Sequence, residues 1–447
     1  MTPVMTIAEF GRQLRGRETT SAAITDECLK RIAADNPRLN AFILVMADEA
    51  RRQARELDAE LAAGRDRGPL HGVPISVKDL LDVRGTPTTA ASKVRAGHMA
   101  DRDATAIAHL RQAGAVIVGK TNLHEFAFGT TNEDSAYGPA RNPHDPTRSP
   151  GGSSGGSAAS VAAGMALATI GTDTGGSIRI PAAACGIVGL KPSLGDVSTA
   201  GVVRLSHTFD HVGPLAQTVA DASLVYHALL GDHAAAMPAP RPLTGLRLAV
   251  LRKYFCDLLD DEVRARFEEA IGRLRAAGAH VDDVDILRAD EIAPVYLHIQ
   301  LADASEYHAA TLESTPELYT RPVRLRLELG RYVLAEDYVR AMHGRERLQR
   351  LTDAALAQHD ALLLPTLPIP APPIGATTID VAGKAEPVRN LMLRLTQLFN
   401  VTGHPAIAMP TGTTGAGLPC SAQLVGCRTQ TDALLRVALA CEPHVCQ

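Results

Sequence analysis

The sequence predicts a fold of the α/β class, and three patterns in its first third indicate it. Apolar residues at three- and four-residue spacing among alternating charges predict helices over residues 6–63. A short apolar run, 72–77, then predicts a strand. A helical pattern over 103–114 ends at a glycine and continues as the β-branched run 115–118. A helix that leads directly into a strand is typical of α/β proteins.

The later segments add loops, helices and strands of the same class. Segment 132–157 is dense in Asn, Asp, Pro, Ser and Gly, which predicts a loop. Segment 158–168 is small and apolar nearly all round, which predicts a helix packed in the interior. A Thr-x-x-Asp cap begins a helix at 218–230, and the Ala- and Pro-rich stretch 231–245 is predicted to be a connection within one fold. Further helices are predicted at 261–277 and within 317–358, and strands at 246–251, 361–364, 406–409 and 421–425.

Composition and charge narrow the classes of function. The 447 residues are 45% hydrophobic and 21% charged, enough apolar material for a sizeable core. A net charge of -4 provides no global basic field for nucleic acid or an anionic membrane, so a small or neutral substrate fits better. With no signal-like or membrane-spanning apolar segment, we expect a cytoplasmic protein. Seven scattered cysteines without C-x-x-C or zinc-like spacing are predicted to be reduced thiols, with no metal site.

Two short motifs match enzyme patterns in letters but not in physical context. Segment 114–121 fits the phosphate-loop pattern G-x-x-x-x-G-K-[ST], yet Ala-Val-Ile-Val between its glycines prefers an extended strand to a loop of inward-facing amides. Segment 152–156 fits the G-x-S-x-G elbow with Ser154 as nucleophile, but the Pro- and Asp-rich stretch 142–150 before it cannot be a buried strand. Nucleotide binding and the α/β-hydrolase mechanism are therefore both disfavoured.

Two glycine-serine loops, 150–157 and 171–177, flank the buried segment 158–168 and can be held near one place. Glycine pairs permit backbone conformations closed to other residues and leave amides uncovered. The amides of 174–177 could converge on one oxygen and stabilise the oxyanion of an attacked amide, a contribution of about 3–4 kcal/mol per donor. Taken alone, the segment fits an ordinary tight turn equally well.

The segments 151–157 (GGSSGGS) and 171–182 (GTDTGGSIRIPA) resemble the signature of the amidase-signature family. The resemblance extends over nearly the whole chain. It includes Gly72-Val73-Pro74 with Lys78-Asp79, Gly114 to Thr121, Tyr137 to Pro143, Gly189-Leu190-Lys191-Pro192, Asp210 with Gly213-Pro214, and Gly403 with Pro405.

The resemblance implies a Ser-cisSer-Lys triad formed by Ser177 as nucleophile, Ser153 as bridging serine and Lys78 as base. The family's 24-residue spacing selects Ser153 over Ser154, which becomes a supporting hydroxyl, and implies a cis peptide before Ser153. The oxyanion amides carry over onto Thr174, Gly175, Gly176 and Ser177.

Further roles follow from the same resemblance. Asp173 and Arg179 correspond to residues that brace the catalytic loops through hydrogen bonds and an ion pair. The segment 125–131 would border the substrate, with the Ala127 carbonyl as a candidate contact to the scissile amide.

The fold implied by the resemblance is a single α/β/α layered domain, 1–447, around a large mixed, mostly parallel β-sheet. Within it we expect a helical N-terminal segment (1–65), a signature core (66–230) and a second half (246–447) that completes the sheet and the substrate pocket. Neither a metal nor an organic cofactor is required. The expected partner is a small-molecule amide, and a homodimer or a small accessory protein is left open.

The proposed triad also makes chemical sense without the family. A serine hydroxyl needs a base to take its proton, and a lysine serves only when neutral. Burial lowers the pKa of a lysine because desolvation penalises the ammonium form, and Lys78 follows an apolar strand. The alternative for Lys78 alone is a surface lysine or one salt-bridged to the adjacent Asp79.

The sequence leaves three functions to weigh. A free amidohydrolase is favoured, acting on a carboxamide or a small urea- or biuret-like amide. The glutamine-hydrolysing component of a tRNA-dependent amidotransferase is second, because 391–395 lacks the acidic residue that such proteins present to the glutamine amine, and 194–205 and 408–412 also depart from their pattern. A catalytically silent binding protein on the same fold is the third.

Overall fold

The computed structural model describes residues 5–233 and 238–446, so part of the predicted connection 231–245 lies outside it. Eleven strands form one large sheet with helices around it, and two further strands form a small hairpin. The helices are α1 (Ile7–Arg15), α2 (Ser21–Leu39), α3 (Ala47–Ala62), α4 (Thr105–Gln112), α5 (Gly155–Ala162), α6 (Arg179–Cys185), α7 (Val219–Leu229), α8 (Asp261–Ala276), α9 (Ile292–Tyr307), α10 (Ala309–Ser314), α11 (Arg321–Gly330), α12 (Ala335–Leu356), α13 (Val388–Arg394), α14 (Leu398–Val401) and α15 (Thr431–Val445). The strands are β1 (Phe42–Val45), β2 (Pro74–Lys78), β3 (Val116–Thr121), β4 (Ala168–Asp173), β5 (Val188–Lys191), β6 (His211–Ala216), β7 (Arg247–Leu251), β8 (His280–Val284), β9 (Ala361–Pro365), β10 (Thr378–Val381), β11 (Lys384–Pro387), β12 (Ala406–Thr413) and β13 (Pro419–Val425).

The large sheet has the order β1-β3-β2-β4-β6-β5-β12-β13-β9-β7-β8. The α/β class and the mixed sheet are confirmed. The expectation of a mostly parallel sheet is wrong, because in the described chain β2, β3 and β4 pair in parallel, as do β7, β8 and β9, whereas the other six pairings are antiparallel. The hairpin β12-β13 lies between these parallel groups and reverses the strand direction. A hairpin needs only a short turn, whereas a parallel pair needs a crossover.

The predicted strands and helices lie close to observed ones, but several elements escaped prediction. Strand β1 interrupts the segment 6–63 that was predicted to be helical. The predicted helix 158–168 begins earlier and ends at Ala162, just before Gly164 with φ of +67°. The rest of that small-residue run enters β4, which is buried along its length and therefore lacks the alternating pattern of a half-buried strand.

Residues of the predicted site come together at the carboxyl ends of neighbouring parallel strands. The parallel strands β2 and β4 end at Lys78 and Asp173, so the segments that follow them emerge side by side. Helix α5 contacts both strands and carries the 150–157 loop at its start. No helix in the described residues is long and apolar enough to span a membrane.

Candidate active site

Lys78 is the last residue of β2 and is fully buried. Its Nζ donates to Ser153 Oγ at 2.8 Å and to Thr172 Oγ1 at 2.7 Å. Burial lowers the pKa of Lys78 to about 7, against the opposing attraction of the Asp173 and Asp210 carboxylates. The predicted burial is confirmed, and the amine is neutral in a large fraction of molecules near neutral pH.

The neighbouring Asp79 is not the partner of Lys78. Asp79 lies 2.7 Å from the Nζ of Lys120, a buried lysine on β3, and accepts hydrogen bonds from the amide and hydroxyl of Thr89. The alternative that Lys78 is salt-bridged to Asp79 is therefore wrong.

Ser153 and Ser154 begin the loop-to-helix segment that leads into α5. The peptide between Gly152 and Ser153 is cis, as expected. Ser153 presents its hydroxyl to Lys78, whereas the amide of Ser154 donates to the carbonyl of Ser177 at 3.2 Å. The Ser154 hydroxyl faces the Thr172 backbone, donating to its carbonyl oxygen at 3.3 Å. Ser154 thus ties the two glycine-serine loops together, and Ser153 is the serine bonded to the lysine.

Ser177 lies between β4 and α6 in the 174–177 loop, and 6% of its surface is exposed. In this loop Gly176 has a φ of +137°, which strongly favours glycine, and its amide donates to Asp173 Oδ1 at 2.7 Å. The amides of Thr174, Gly175 and Ser177 have no acceptor within the described residues. The structure therefore narrows the amides open to a substrate oxygen from the four predicted to these three.

A buried ion pair between Asp173 and Arg179 supports the 174–177 loop. Arg179 donates to both carboxylate oxygens of Asp173, at 3.0 and 3.1 Å, and also to Asn400 and Gln423. The same Asp173 carboxylate accepts from the amides of Gly176 and Ile178. Attraction to Arg179 holds the pKa of Asp173 well below its usual range although burial alone would raise it. The predicted ion pair between Asp173 and Arg179 is confirmed.

Several side-chain contacts that complete the site were not predicted. Thr172 accepts a hydrogen bond from Lys78 Nζ, and it lies within the 171–177 segment that resembles the family signature. Thr174 donates to Asp210 at 2.6 Å, and burial raises the pKa of that carboxyl to about 6. Asn400 and Gln423 are more than 200 residues from Arg179 in sequence, so no local pattern could connect them to it.

Ala127 lies in a short 3-10 turn, Glu125–Ala127, and adopts a φ of +60°. The turn is joined to the serine loop because the His124 amide donates to the Ser153 carbonyl at 3.1 Å. Ala127 is buried, and its contact with a substrate stays a prediction.

A cavity of about 530 Å³ is lined mainly by residues of α9 and α13. A Cβ placed on Gly175 would be 2.3 Å from the hydroxyl of Tyr296 and 3.1 Å from Leu393, and both of these residues line the cavity. The volume suits a small molecule. Among residues 5–233 and 238–446, no cluster of His, Cys, Asp and Glu side chains could hold a metal ion. Other lining residues are Tyr254, Arg389, Arg394 and Gln397.

The chain is similar to known proteins in both sequence and structure over nearly its whole length. A family model described as Amidase matches residues 23–435. An amidase of Pseudomonas putida is 41% identical over 454 residues, covering 98% of this chain and 95% of the relative. The A component of the glutamyl-tRNA(Gln) amidotransferase of Koribacter versatilis (strain Ellin345) is 36% identical over 98% of both chains. A crystal structure of an amidase superposes with a TM-score of 0.93 at 37% identity, covering 99% of this chain and all of the other.

Proposed function

Because the chain belongs to the amidase-signature family of hydrolases acting on amide carbon–nitrogen bonds, we propose that it cleaves a small carboxamide, or a urea- or biuret-like amide, through an acyl ester on Ser177. The observation that carries the proposal is the buried Lys78 amine, 2.8 Å from the Ser153 hydroxyl and with no carboxylate bound to it. A lysine with a lowered pKa can act as a base at neutral pH.

The proposed proton path extends the contact between Lys78 and Ser153 to Ser177. Ser177 Oγ attacks the amide carbonyl while its proton passes to Ser153 Oγ, and the Ser153 proton passes to the neutral Nζ of Lys78. The amides of Thr174, Gly175 and Ser177 stabilise the oxyanion, about 3–4 kcal/mol for each effective donor. Collapse of the intermediate breaks the C–N bond, and Lys78 returns a proton through Ser153 to the leaving amine. Water then attacks the acyl ester by the same path, releasing the acid and restoring Ser177.

A free amidohydrolase, which releases ammonia or an amine, is favoured over a component of a transamidase. The wall of the cavity next to Gly175 contains Leu393 where the segment 391–395 would have to present an acidic residue to the amine of glutamine. One relative is named as a component of an amidotransferase, so dependence on a partner protein is the runner-up. We also propose that the protein acts in the cytoplasm, on a small-molecule amide and without a cofactor, and we leave a homodimer or a small accessory protein open.

The decisive experiment labels the nucleophile. An activated serine-directed probe such as a fluorophosphonate should modify Ser177, as located by peptide mapping, and Ser177→Ala should abolish both labelling and amide turnover while the fold is retained. Ser154→Ala is the matched control on the adjacent loop, and it should keep labelling at Ser177. Modification of another residue, or turnover by Ser177→Ala near the wild-type rate, would refute the assignment. Ammonia release from glutamine only with an added partner protein would instead favour the transamidase.

A further inference from the structure

The cavity lined mainly by α9 and α13 contains an arginine that no acidic residue of the described chain neutralises. Arg389, on α13, lines this cavity with Tyr296 and Leu393. Its Nε is buried without a hydrogen-bond acceptor, and its guanidinium forms no ion pair within the described chain. The side chain as a whole is partly exposed, so its terminal nitrogens, which have no acceptor within the described chain, are available to an anion.

The other charges around the cavity do not supply that anion. Glu386 lines the same cavity but makes no ion pair with Arg389 in the described residues. Arg394 adds a second cation, held in place by a 2.9 Å hydrogen bond to the Tyr254 carbonyl and by stacking 3.9 Å above the Tyr254 ring. The cavity wall therefore carries a net positive charge.

A third guanidinium, on Arg326, is close enough to feel the charge of Arg389. Burial, together with the repulsion from Arg389, lowers the pKa of Arg326 to about 10. Arg326 itself has partners, since it lies 3.4 Å from Asp134 and over the ring of Phe128. Arg389 is thus the cation in this cluster whose binding capacity is unused.

Two residues of the cavity wall reach the catalytic loop. Tyr296 and Leu393 meet the position of a Cβ on Gly175, two residues before Ser177, and both line the cavity that contains Arg389. A substrate group that reaches Arg389 from the 174–177 amides therefore has to pass these two side chains. The segment 391–395, which contributes Leu393 to this wall, contains no acidic residue to receive an ammonium group.

We propose that Arg389 binds a carboxylate carried by the substrate, so that the preferred substrates are small amides of dicarboxylic acids or similarly anionic small amides. The proposal rests on the proposed function and specifies its substrate class. The planar guanidinium can form two parallel hydrogen bonds with a carboxylate, which fixes the orientation of the substrate as well as its charge. The lack of an acidic residue in 391–395 separates such substrates from amino-acid amides, which also carry an ammonium group.

The test compares succinamate with pentanamide, a neutral amide of similar length. We expect wild-type kcat/KM to be higher for succinamate, and Arg389→Gln to lower it about 10- to 100-fold for succinamate while changing pentanamide by less than about 3-fold. Arg394→Gln is the matched control, because it removes the same charge from the same cavity, and it should affect the two amides about equally. Equal losses for both amides in Arg389→Gln, or the same selective loss in Arg394→Gln, would overturn the proposal.

A binding measurement separates this proposal from the proposed function. Succinate should raise the thermal unfolding midpoint of Ser177→Ala, and the additional substitution Arg389→Gln should remove most of that shift. If the enzyme hydrolyses neither amide, acyl transfer is in question, yet the succinate shift still decides whether Arg389 binds carboxylates. An undiminished shift after Arg389→Gln overturns the inference even when hydrolysis is intact.

Discussion

Lys78 and Lys120 lie on neighbouring parallel strands, β2 and β3, and both are completely buried. They differ in what surrounds the amine. Lys120 Nζ lies 2.7 Å from a carboxylate of Asp79 and also donates to the Pro87 carbonyl and the Thr88 hydroxyl. Within the described residues, the hydrogen-bond partners of Lys78 Nζ are the hydroxyls of Ser153 and Thr172.

This difference distinguishes the proposed base from a lysine paired with a carboxylate. Burial lowers the pKa of both lysines, but at Lys120 the bound Asp79 carboxylate opposes the shift. At Lys78 the acidic groups that oppose burial, Asp173 and Asp210, act without a hydrogen bond to the amine, and the pKa falls to about 7. Burial alone therefore does not set the pKa of a lysine, because the groups bonded to its amine also contribute.

The largest effect is expected on turnover when Lys78 is replaced. Lys78→Met keeps the length and apolar body of the side chain but removes the proton acceptor, so kcat/KM should fall about 10³- to 10⁴-fold. The free energy of unfolding at pH 6, from urea titration, should fall by less than about 1 kcal/mol, since no charged partner is left unpaired. Turnover within about 10-fold of wild type would show that Lys78 is not the base.

Lys120→Met should produce the opposite result. It leaves the Asp79 carboxylate buried without its partner, so the free energy of unfolding should fall by about 3–5 kcal/mol, while the folded enzyme keeps most of its kcat. The double variant Lys120→Met/Asp79→Asn is the control, and it should recover part of the loss because the isolated charge is gone. A variant that is as stable as wild type but inactive would contradict the structural role of Lys120.

The sequence allowed one side of this comparison to be predicted but not the other. The strand before Lys78 and the two glycine-serine loops were visible as local patterns, and the resemblance to the amidase-signature family assigned the triad candidates to them. Nothing local showed that Asp79 would turn to Lys120 rather than to Lys78, because that choice depends on the register between β2 and β3.

The residues that line the cavity were equally hard to predict from local sequence patterns. Arg389 and Tyr296 belong to helices that are far apart in sequence, and only the packed fold brings both to the same cavity. Strand β4 was missed by prediction because it is buried along its length and follows a small-residue helix of similar composition.

The pH dependence of kcat/KM should follow the titration of Lys78. With a pKa of about 7, Lys78 loses its proton as the pH rises, so kcat/KM should increase with pH and level off above about pH 8. The unfolded chain keeps this proton until about pH 10.5, so between these values the unfolded state binds more protons and the free energy of unfolding rises with pH.

Lys78→Met removes the contribution of Lys78 titration to the free energy of unfolding. That contribution changes by at most about 1.4 kcal/mol per pH unit. The difference in unfolding free energy, wild type minus variant, should therefore increase between about pH 7 and about pH 10. A flat difference over this range would mean that Lys78 keeps its proton in the folded protein.

The smallest effect is expected at Thr172, the second hydroxyl bonded to Lys78. Thr172→Val keeps the shape of the side chain but removes an acceptor that holds the amine beside Ser153, so kcat should fall about 3- to 10-fold with KM nearly unchanged. Because the lost hydroxyl accepts a hydrogen bond from Nζ, and such a bond favours the ammonium form, the apparent pKa of kcat/KM should also shift downward. A purely structural role would lower stability without moving the pH profile, and Thr172→Ser, which restores the hydroxyl, should return the profile to that of the wild type.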